Sequence, residues 1–440
     1  MTIRRIENSS MLSSVDLINE VTKAIDDAND ELRGLSLEPQ ILSGLKFDTR
    51  QIFNNPEILF EEVKACKLLS DWFETRGWTV KRGVYGIETA FEARFTLKEG
   101  GRTVCFNAEY DALPGIGHAC GHNLIATSSL ASAIGVEAVM KSRQLDGTLV
   151  VMGTPAEESG GGKWIMATNG AWKGMDACVM THGMRNFSTP LCCTKASWKM
   201  RAKFRGRGAH AAAAPWEGRN ACDAIVQAYN GIALLRQQLR NDESVQGVIL
   251  EAGKAMNLIP EYSEGIFSIR APNMKRLEAL KARFSPIFQS AADATGCKVE
   301  LEWTALYEDV VSNETLAEQY RQYMLQHLGM TPEQLVPLPE ARVKHDQAGS
   351  SLTYVNRDFG SCTYICPGIQ AMFDIQANGG PHSLEFKEAA SAMFAHHEAL
   401  RAGKANALIC LDVLMNDEFA AKMKSEFIAA MKDAGRWTES

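Results

Sequence analysis

The chain has 440 residues, of which 45% are hydrophobic and 22% charged, and its formal net charge is −7 at pH 7. This acidic balance excludes nucleic acid and anionic membranes as main partners, because both require a basic face. The length predicts two domains. Eleven cysteines without framework spacing, an N-terminus that lacks an apolar signal segment and no apolar run long enough to span a bilayer predict a protein of the reducing cytoplasm.

The first 190 residues alternate between helical and strand-like patterns. Apolar residues at helical spacing predict helices over residues 15–34 and 56–76, the second beginning at Pro56 after Asn54-Asn55. A further helix is predicted over 124–142, and strands are predicted at 78–80, 90–95, 103–106, 147–152 and 177–180. Since strands alternate with helices and the last two strands are continuously apolar, we expect an α/β layered domain with a largely parallel sheet.

The pattern changes between residues 190 and 305. A period-two strand at 197–204 is followed by a helix at 220–240, strands at 245–251 and 263–270, a helix at 273–294 and a strand at 297–303. This β-α-β-β-α-β order is typical of a small α+β unit of the split βαβ type. Amphipathic helices from 385 to 433 end the chain. The sequence therefore predicts one domain made of residues 1–190 and 306–440, interrupted by an inserted domain of residues 191–305.

Metal-ligand residue types occur at the expected carboxyl ends of strands. Cys120 and His122 are one residue apart, the pair Glu157-Glu158 follows the strand ending at Met152, and His182 and His382 follow later strand-like runs. Cys, His and carboxylate hold zinc and neighbouring divalent ions. A hydrolytic site also needs a carboxylate that is free to accept a proton from water, and the glutamate pair offers one ligand and one base. Singly, each cysteine or histidine is more often structural; the combination favours a metal site.

Several motifs resemble those of the peptidase M20 family, from about Asn54 to the C-terminal helices. The resemblance is to its amidohydrolase branch, which includes indole-acetyl-amino-acid and aminobenzoyl-glutamate hydrolases, and most closely to dipeptidases of the peptidase M20 domain-containing protein 2 type, which act on short amides of basic amino acids. The motifs are Asp111-Ala112-Leu113-Pro114, Cys120-Gly121-His122-Asn123, Gly153-Thr154-Pro155-Ala156-Glu157-Glu158, Gly208-Ala209-His210-Ala211-Ala212, Met256-Asn257-Leu258-Ile259-Pro260 and His382-Ser383-Leu384-Glu385-Phe386.

The resemblance implies a zinc-peptidase-like α/β/α catalytic domain and an inserted lid and dimerisation domain. It also implies two divalent ions per subunit, zinc first, with manganese or cobalt as alternatives that share the same ligands. By motif position the ligands are Cys120, His122, Glu158, His182 and His382. Glu157 is then the general base that later protonates the leaving amine. Asp111 either orients an imidazole ligand or is only a turn residue before Pro114.

Three more residues are assigned by motif position alone. In the family, the histidine that corresponds to His210 comes from the partner subunit of a homodimer and stabilises the oxyanion. Asn257 and Arg270 match positions that bind the substrate carboxylate or its surroundings, a task that suits a planar guanidinium. From the sequence alone, His210 and Arg270 are equally consistent with surface residues at strand ends.

The remaining histidines carry no ligand motif. We read His118 as lying just outside the ligand set. The others are expected to be solvated: His327, His345, His396 and His397.

The sequence thus predicts a metal-dependent amidohydrolase or dipeptidase that cleaves N-acyl amino acids or short dipeptides. Two alternatives remain. The same site could form or edit amides in a biosynthetic pathway, or the chain could be a non-catalytic descendant that binds conjugates, although a binding protein has no need of a free base such as Glu157. Departures from the family pattern at Glu251-Ala252-Gly253-Lys254 and around Asp358 leave the substrate open.

Overall fold

The computed structural model describes residues 14–36, 51–192, 194–336 and 358–437, and the two predicted segments of the catalytic domain also include residues outside these ranges. The strands in the described ranges are β1 (Thr79–Arg82), β2 (Phe91–Lys98), β3 (Thr103–Glu109), β4 (Gly147–Thr154), β5 (Ala177–Met184), β6 (Ala196–Arg205), β7 (Ala209–His210), β8 (Ser244–Glu251), β9 (Leu258–Ile259), β10 (Tyr262–Ala271), β11 (Lys298–Tyr307) and β12 (Gly368–Asp374).

The helices in the same ranges are α1 (Ser14–Asp27), α2 (Asn29–Ser36), α3 (Gln51–Asn54), α4 (Val63–Thr75), α5 (His122–Arg143), α6 (Gly162–Thr168), α7 (Ala221–Arg236), α8 (Met274–Thr295), α9 (Glu314–Gln326), α10 (Gly360–Thr363), α11 (Leu384–Ser391), α12 (Met393–Met415) and α13 (Asp417–Asp433), with a single 3₁₀ turn at Pro215–Glu217.

The larger sheet is mixed rather than uniformly parallel. Its strand order is β1-β2-β4-β3-β5-β12. The four strands β4, β3, β5 and β12 are parallel, whereas β1 and β2 are antiparallel at one edge. The prediction of a largely parallel sheet is therefore correct for the centre and wrong for this edge. The short link between β1 and β2 cannot hold the crossover that a parallel pair needs, so they form an antiparallel pair.

Helix α5 is the centre of the main core. It packs on β3 and β5 on one side and on α12 on the other. Gly403 of α12 permits the close approach, since a Cβ there would lie 2.9 Å from the Cβ of Ala131. By length and composition α5 alone could cross a membrane, against the expectation that no such run exists, but it is almost entirely buried inside the protein. It is best explained as a core helix.

The smaller sheet has the order β11-β6-β10-β8 and is antiparallel throughout. Two helices, α7 and α8, cover one face, where Met200, Phe204 and Phe267 pack against Phe284 and Phe288. The chain order is the predicted β-α-β-β-α-β, with one addition: strands β7 and β9 form a separate two-stranded pair. The other face of the sheet has no covering helix, which decides where its polar side chains point.

Two helix predictions near the N-terminus need correction. The helix predicted over 15–34 is two helices, α1 and α2. The helix predicted to begin at Pro56 begins at Val63, and Asn54 instead ends α3. The Glu57 carboxylate explains the change: its oxygens accept hydrogen bonds from the backbone N–H groups of Lys64 and Ala65, at 2.9 Å to each. A side chain upstream thus satisfies the open N–H groups of the first turn, and Pro56 lies outside the helix.

Candidate metal centre

The parallel strands bring the candidate ligands to one edge of the larger sheet. Glu109 ends β3, the pair Glu157-Glu158 follows β4, His182 lies within β5 and His382 follows β12. Because the carboxyl ends of neighbouring parallel strands meet at one edge, four chain segments that are distant in sequence converge there.

The turn before α5 places two further candidates. Gly121 has φ 77°, a left-handed conformation that glycine adopts without strain, and α5 begins at the next residue, His122. Cys120 and His122 therefore both face the site although only one residue separates them. His382 also has a positive φ, 71°, and its backbone N–H donates to the carbonyl oxygen of Ala119 at 2.9 Å. This bond fastens the His382 loop to the segment that carries Cys120.

Cys120 lies between two of the predicted partners. Its Sγ is 3.5 Å from Nε2 of His182. Nδ1 of His182 is 2.5 Å from the carbonyl oxygen of Gly183, an acceptor, so Nδ1 carries the proton and Nε2 presents a lone pair toward Cys120. On the other side, Nε2 of His382 is 3.2 Å from Oε2 of Glu158. Three-residue groups with ligand atoms within 4.8 Å of one another include Cys120-His122-His182 and Cys120-Glu158-His382.

Asp111 joins the histidine to the glutamate pair. Its Oδ1 is 3.0 Å from Nδ1 of His122, and its Oδ2 accepts the backbone N–H of Glu158 at 3.0 Å. Burial alone would raise the pKa of Asp111, but the charge and hydrogen bond of His122 lower it below its usual value. The ionised carboxylate fixes Nδ1 of His122 as the protonated nitrogen, so Nε2 is left to face the site.

Several buried polar atoms here have no hydrogen-bond partner among the described residues. They are Nε2 of His122, Oε2 of Glu109 and Oε1 of Glu158. Nε2 of His122 lies 3.4 Å from Oε2 of Glu109 and 3.8 Å from Oε1 of Glu158. Buried donors and acceptors are almost always satisfied, so unpaired lone pairs pointing at a common centre fit a cation. The thiol, imidazole and carboxylate set is the donor chemistry of zinc and its neighbours.

Glu157 differs from Glu158 in its surroundings. It is buried, and burial together with the charges of Glu158 and Glu109 raises its pKa well above the usual range. Its Oε2 is 3.7 Å from Nε2 of His122. A carboxyl whose pKa is raised beside candidate ligands has the proton affinity that general-base chemistry requires near neutral pH.

A buried charge cluster supports this edge of the site, and the sequence reading did not assign it. Lys163, at the start of α6, has no solvent exposure, and its Nζ is 2.6 Å from Oε1 of Glu109 and 2.6 Å from Oδ1 of Asp358. The backbone N–H of Lys163 also donates to Oδ2 of Asp358 at 2.9 Å. The available signal was Glu109 at a strand end; nothing marked Lys163 as buried.

Glu62 is a second residue that sequence reasoning missed. It is fully buried, and its Oε1 accepts the backbone N–H groups of Phe60 and Ala156, at 3.0 Å each. Its Oε2 accepts the Thr89 hydroxyl at 3.0 Å. Leu59, Phe60 and Ala156 have positive φ values, which are strained for residues with a side chain. Glu62 thus holds the segment before α4 against the residue that precedes Glu157.

The residues of the smaller sheet do not form one cluster. His210 and Asn257 lie on the adjoining strands and loop of the β7–β9 pair and are exposed, and the carbonyl oxygen of Asn257 accepts the N–H of Ala211 at 3.0 Å. Nδ1 of His210 accepts the backbone N–H of Ala213 at 3.1 Å, so Nε2 carries the proton. Arg270 is half-buried at the far end of β10, opposite Ser197 of β6.

The other histidines divide into buried and exposed. His118 is buried and stacks on Phe53, with ring centres 6.1 Å apart, just outside the ligand cluster. The prediction that His396 is solvated is wrong, because it is fully buried in α12, and burial lowers its pKa to about 3. His327 and His397 are exposed, and His345 lies outside the described residues.

Comparison with known proteins identifies the family. Residues 105–356 match the sequence profile of Peptidase family M20/M25/M40. The chain is 35% identical over 429 residues to the Xaa-Arg dipeptidase of Mus musculus, which covers 95% of this chain and 93% of the relative. This protein is an enzyme of the peptidase M20 family.

Two other relatives of this M20 enzyme bear on its fold and site. It is 33% identical over 306 residues to a p-aminobenzoyl-glutamate hydrolase protein of Escherichia coli (strain K12), covering 64% of this chain and 62% of that one. The solved structure of the Bacillus subtilis YXEP protein, titled a dinuclear metal-binding peptidase from the M20 family, superimposes with a TM-score of 0.60 at 20% identity, over 89% of this chain and 99% of that one. The latter likeness shows the shared fold.

Proposed function

We propose that this M20 enzyme hydrolyses the amide bond of N-acyl amino acids or short dipeptides, with Glu157 as the general base. The observation that supports this most is the relation of the two adjacent glutamates. Glu158 faces His382 within the donor cluster, whereas Glu157 is a buried carboxylate of raised proton affinity beside it. A ligand and a base at adjacent positions suit the activation of water next to a metal.

Two divalent ions per subunit fit the donor set. Cys120, which belongs to two of the ligand groups, would contact both, with His122 and His182 on one side and Glu158 and His382 on the other. When bound, such ions act as Lewis acids toward the scissile carbonyl and make a water molecule more acidic. Zinc is our first choice, with manganese or cobalt as alternatives. The ten cysteines of the described residues are all free, which agrees with a cytoplasmic location.

The side chains divide the remaining work. Glu157 accepts a proton from the attacking water and passes it to the nitrogen of the leaving amine. Asp111 holds the tautomer and direction of His122. We further propose that residues 191–305 act as a lid and dimerisation domain, and that protonated Nε2 of His210 stabilises the oxyanion across a dimer interface. Asn257 and Arg270 then bind the carboxylate side of the substrate.

The test of the general base is Glu157→Gln. Amide and carboxyl have nearly the same shape, so we expect the variant to fold and to keep its metal by elemental analysis. Hydrolysis should fall by a factor on the order of 10² or more, because the amide cannot accept the proton. The matched control is Glu137→Gln, which alters a buried carboxylate on α5 whose partner is Lys141, outside the site. Glu137→Gln should keep wild-type turnover.

Two results would count against the proposal. Unchanged hydrolysis in Glu157→Gln would remove this residue from the mechanism, and loss of metal would make it a ligand instead. The substrate class is tested separately by incubating the metal-loaded enzyme with β-alanyl, γ-aminobutyryl, aromatic-acyl and aminobenzoyl conjugates and measuring the freed amine. The absence of any freed amine across this set would contradict amide hydrolysis.

A further inference from the structure

Two cationic side chains share the uncovered face of the smaller sheet. In the antiparallel register, Arg270 of β10 lies opposite Ser197 of β6, and Ser268 lies opposite Lys199. Directly opposed residues share a face, and so do residues two apart on one strand. Lys199 and Arg270 are therefore diagonal neighbours on the side away from α7 and α8. Both are half-buried.

Neither cation has an acidic partner among the residues that the structure describes. Arg270 has a buried Nε without a hydrogen bond, and the ammonium group of Lys199 contacts only the ring of Tyr307, at 5.4 Å from its centre. Burial lowers the pKa of Arg270, and burial and the charge of Arg270 lower the pKa of Lys199. Two unpaired cations that are partly removed from water are costly to the fold unless an anion is bound between them.

The surroundings of the two cations are also unsatisfied. The hydroxyl of Ser197, which is fully buried, and that of Ser268 have no hydrogen-bond partner within the described ranges. The closest acidic residues along the neighbouring strand, Asp242 and Glu243, are already held by Arg276, at 2.6 and 2.9 Å. The face thus offers two positive charges and two hydroxyls without a ligand from the protein.

This polar face adjoins the proposed general base. Tyr307 of β11 lies opposite Ser197, and its hydroxyl donates to the backbone carbonyl of Glu157 at 3.2 Å. The negative charge of Glu157 acts on Lys199 and opposes the lowering of its pKa. An anion held between Lys199 and Arg270 would therefore belong to a molecule whose reacting bond lies beside Glu157.

We propose that Lys199 and Arg270 bind the two carboxylates of a dicarboxylic amino acid, so that the enzyme prefers N-acyl conjugates of glutamate or aspartate. This rests on the proposed amide hydrolysis and specifies its leaving group. One guanidinium suffices for a single α-carboxylate. A second cation on the same face adds a site for a side-chain carboxylate and repels a basic side chain. The acceptance of basic amino acids named for the mouse relative would not extend to this chain.

The decisive comparison uses three probes with one acyl group: N-benzoyl-L-glutamate, N-benzoyl-L-glutamine and N-benzoyl-L-arginine. Binding is measured by calorimetry to metal-loaded Glu157→Gln, which does not consume the probe. We expect the glutamate conjugate to bind more tightly than its glutamine isostere by a factor on the order of ten or more, with arginine the weakest. Hydrolysis by the wild-type enzyme, as kcat/KM, should follow the same order.

The Lys199→Met substitution in both backgrounds should remove most of the glutamate preference and leave the glutamine conjugate nearly unchanged. Lys203→Met is the matched control, since Lys203 lies on the same strand and pairs with Glu302 at 3.0 Å; it should keep the preference. Equal binding of the glutamate and glutamine probes, no binding of N-benzoyl-L-glutamate at millimolar concentration, or an equal loss for both probes in Lys199→Met would overturn the inference. Selective binding without hydrolysis would support it and contradict the proposed function instead.

Discussion

Lys163 is the residue whose position departs most from its chemistry. A lysine with no solvent exposure is stable only when acidic partners surround its ammonium group, and here Glu109 and Asp358 both lie at 2.6 Å. The first of these carboxylates faces His122, and the second precedes α10. The ammonium group therefore connects the candidate metal centre to a segment from the end of the chain.

Removing this charge should cost more than removing either carboxylate neighbour. We expect Lys163→Met to lower the free energy of unfolding by about 3 kcal/mol or more, because two buried carboxylates lose their cation. Asp358→Asn should cost clearly less, since the Lys163–Glu109 pair remains and burial already raises the pKa of Asp358 to about 6. Urea unfolding of both variants measures the difference. Equal destabilisation would mean that Lys163 contributes through packing alone.

Individual residues show what the sequence could predict. Cys120, His122, Glu158, His182 and His382 carry recognisable motifs, and the structure brings them together. The cluster of Lys163 with Glu109 and Asp358 could not be foreseen, because its three members come from three distant segments and lysine is normally solvated. His396 was misjudged for the same reason: helical spacing does not reveal that both sides of α12 are covered.

Among the elements, the contact between α9 and α12 contains a carboxyl with a displaced pKa. Asp412 of α12 accepts the Tyr323 hydroxyl at 2.9 Å, and burial raises its pKa from 3.8 to about 6. The unfolded chain releases this proton near pH 4 and the folded protein only near pH 6. Stability contributed by this residue is therefore greatest at low pH and is lost as the pH rises through 6.

Asp412→Asn should remove this dependence. Relative to the wild type, the variant should gain about 1 kcal/mol of unfolding free energy on going from pH 5 to pH 8, because the amide never ionises. Urea unfolding at the two pH values measures this, and the difference between proteins cancels all other titrating groups. Asp433→Asn, at an exposed position of α13, is the control and should show no such change. A pH-independent difference for Asp412→Asn would contradict the assignment.

The order of elements was predictable, but their edges were not. The strands and helices of the smaller sheet follow the predicted order because alternation and helical spacing are strong there. The start of α4 was wrong because the Glu57 side chain, and not Pro56, satisfies its first N–H groups. The antiparallel edge formed by β1 and β2 was missed because strand direction depends on the connection and not on the strand's own residues.

For the whole molecule, the outer end of the smaller sheet is where a second copy fits. β8 is the edge strand, and Val248 and Leu250 on it are 61% and 52% exposed in the single chain. Ile266 of β10, directly opposite Val248, is 38% exposed. An apolar patch beside an open strand edge favours pairing with an identical edge, which gives a two-fold dimer.

The proposed dimer makes two linked predictions. Val248→Glu should convert the protein to a monomer in light scattering, because it places two like charges across a symmetric interface. Glu157→Gln and His210→Ala should each be nearly inactive alone, yet co-expression should restore about a quarter of wild-type activity. Random pairing makes half the molecules heterodimers, each with one site that has both wild-type residues. If the mixture stays as inactive as its parents while light scattering shows dimers, His210 does not act across the interface. If monomeric Val248→Glu keeps full turnover, the site is complete within one chain, and the exposed Nε2 of His210 has no part in stabilising the oxyanion.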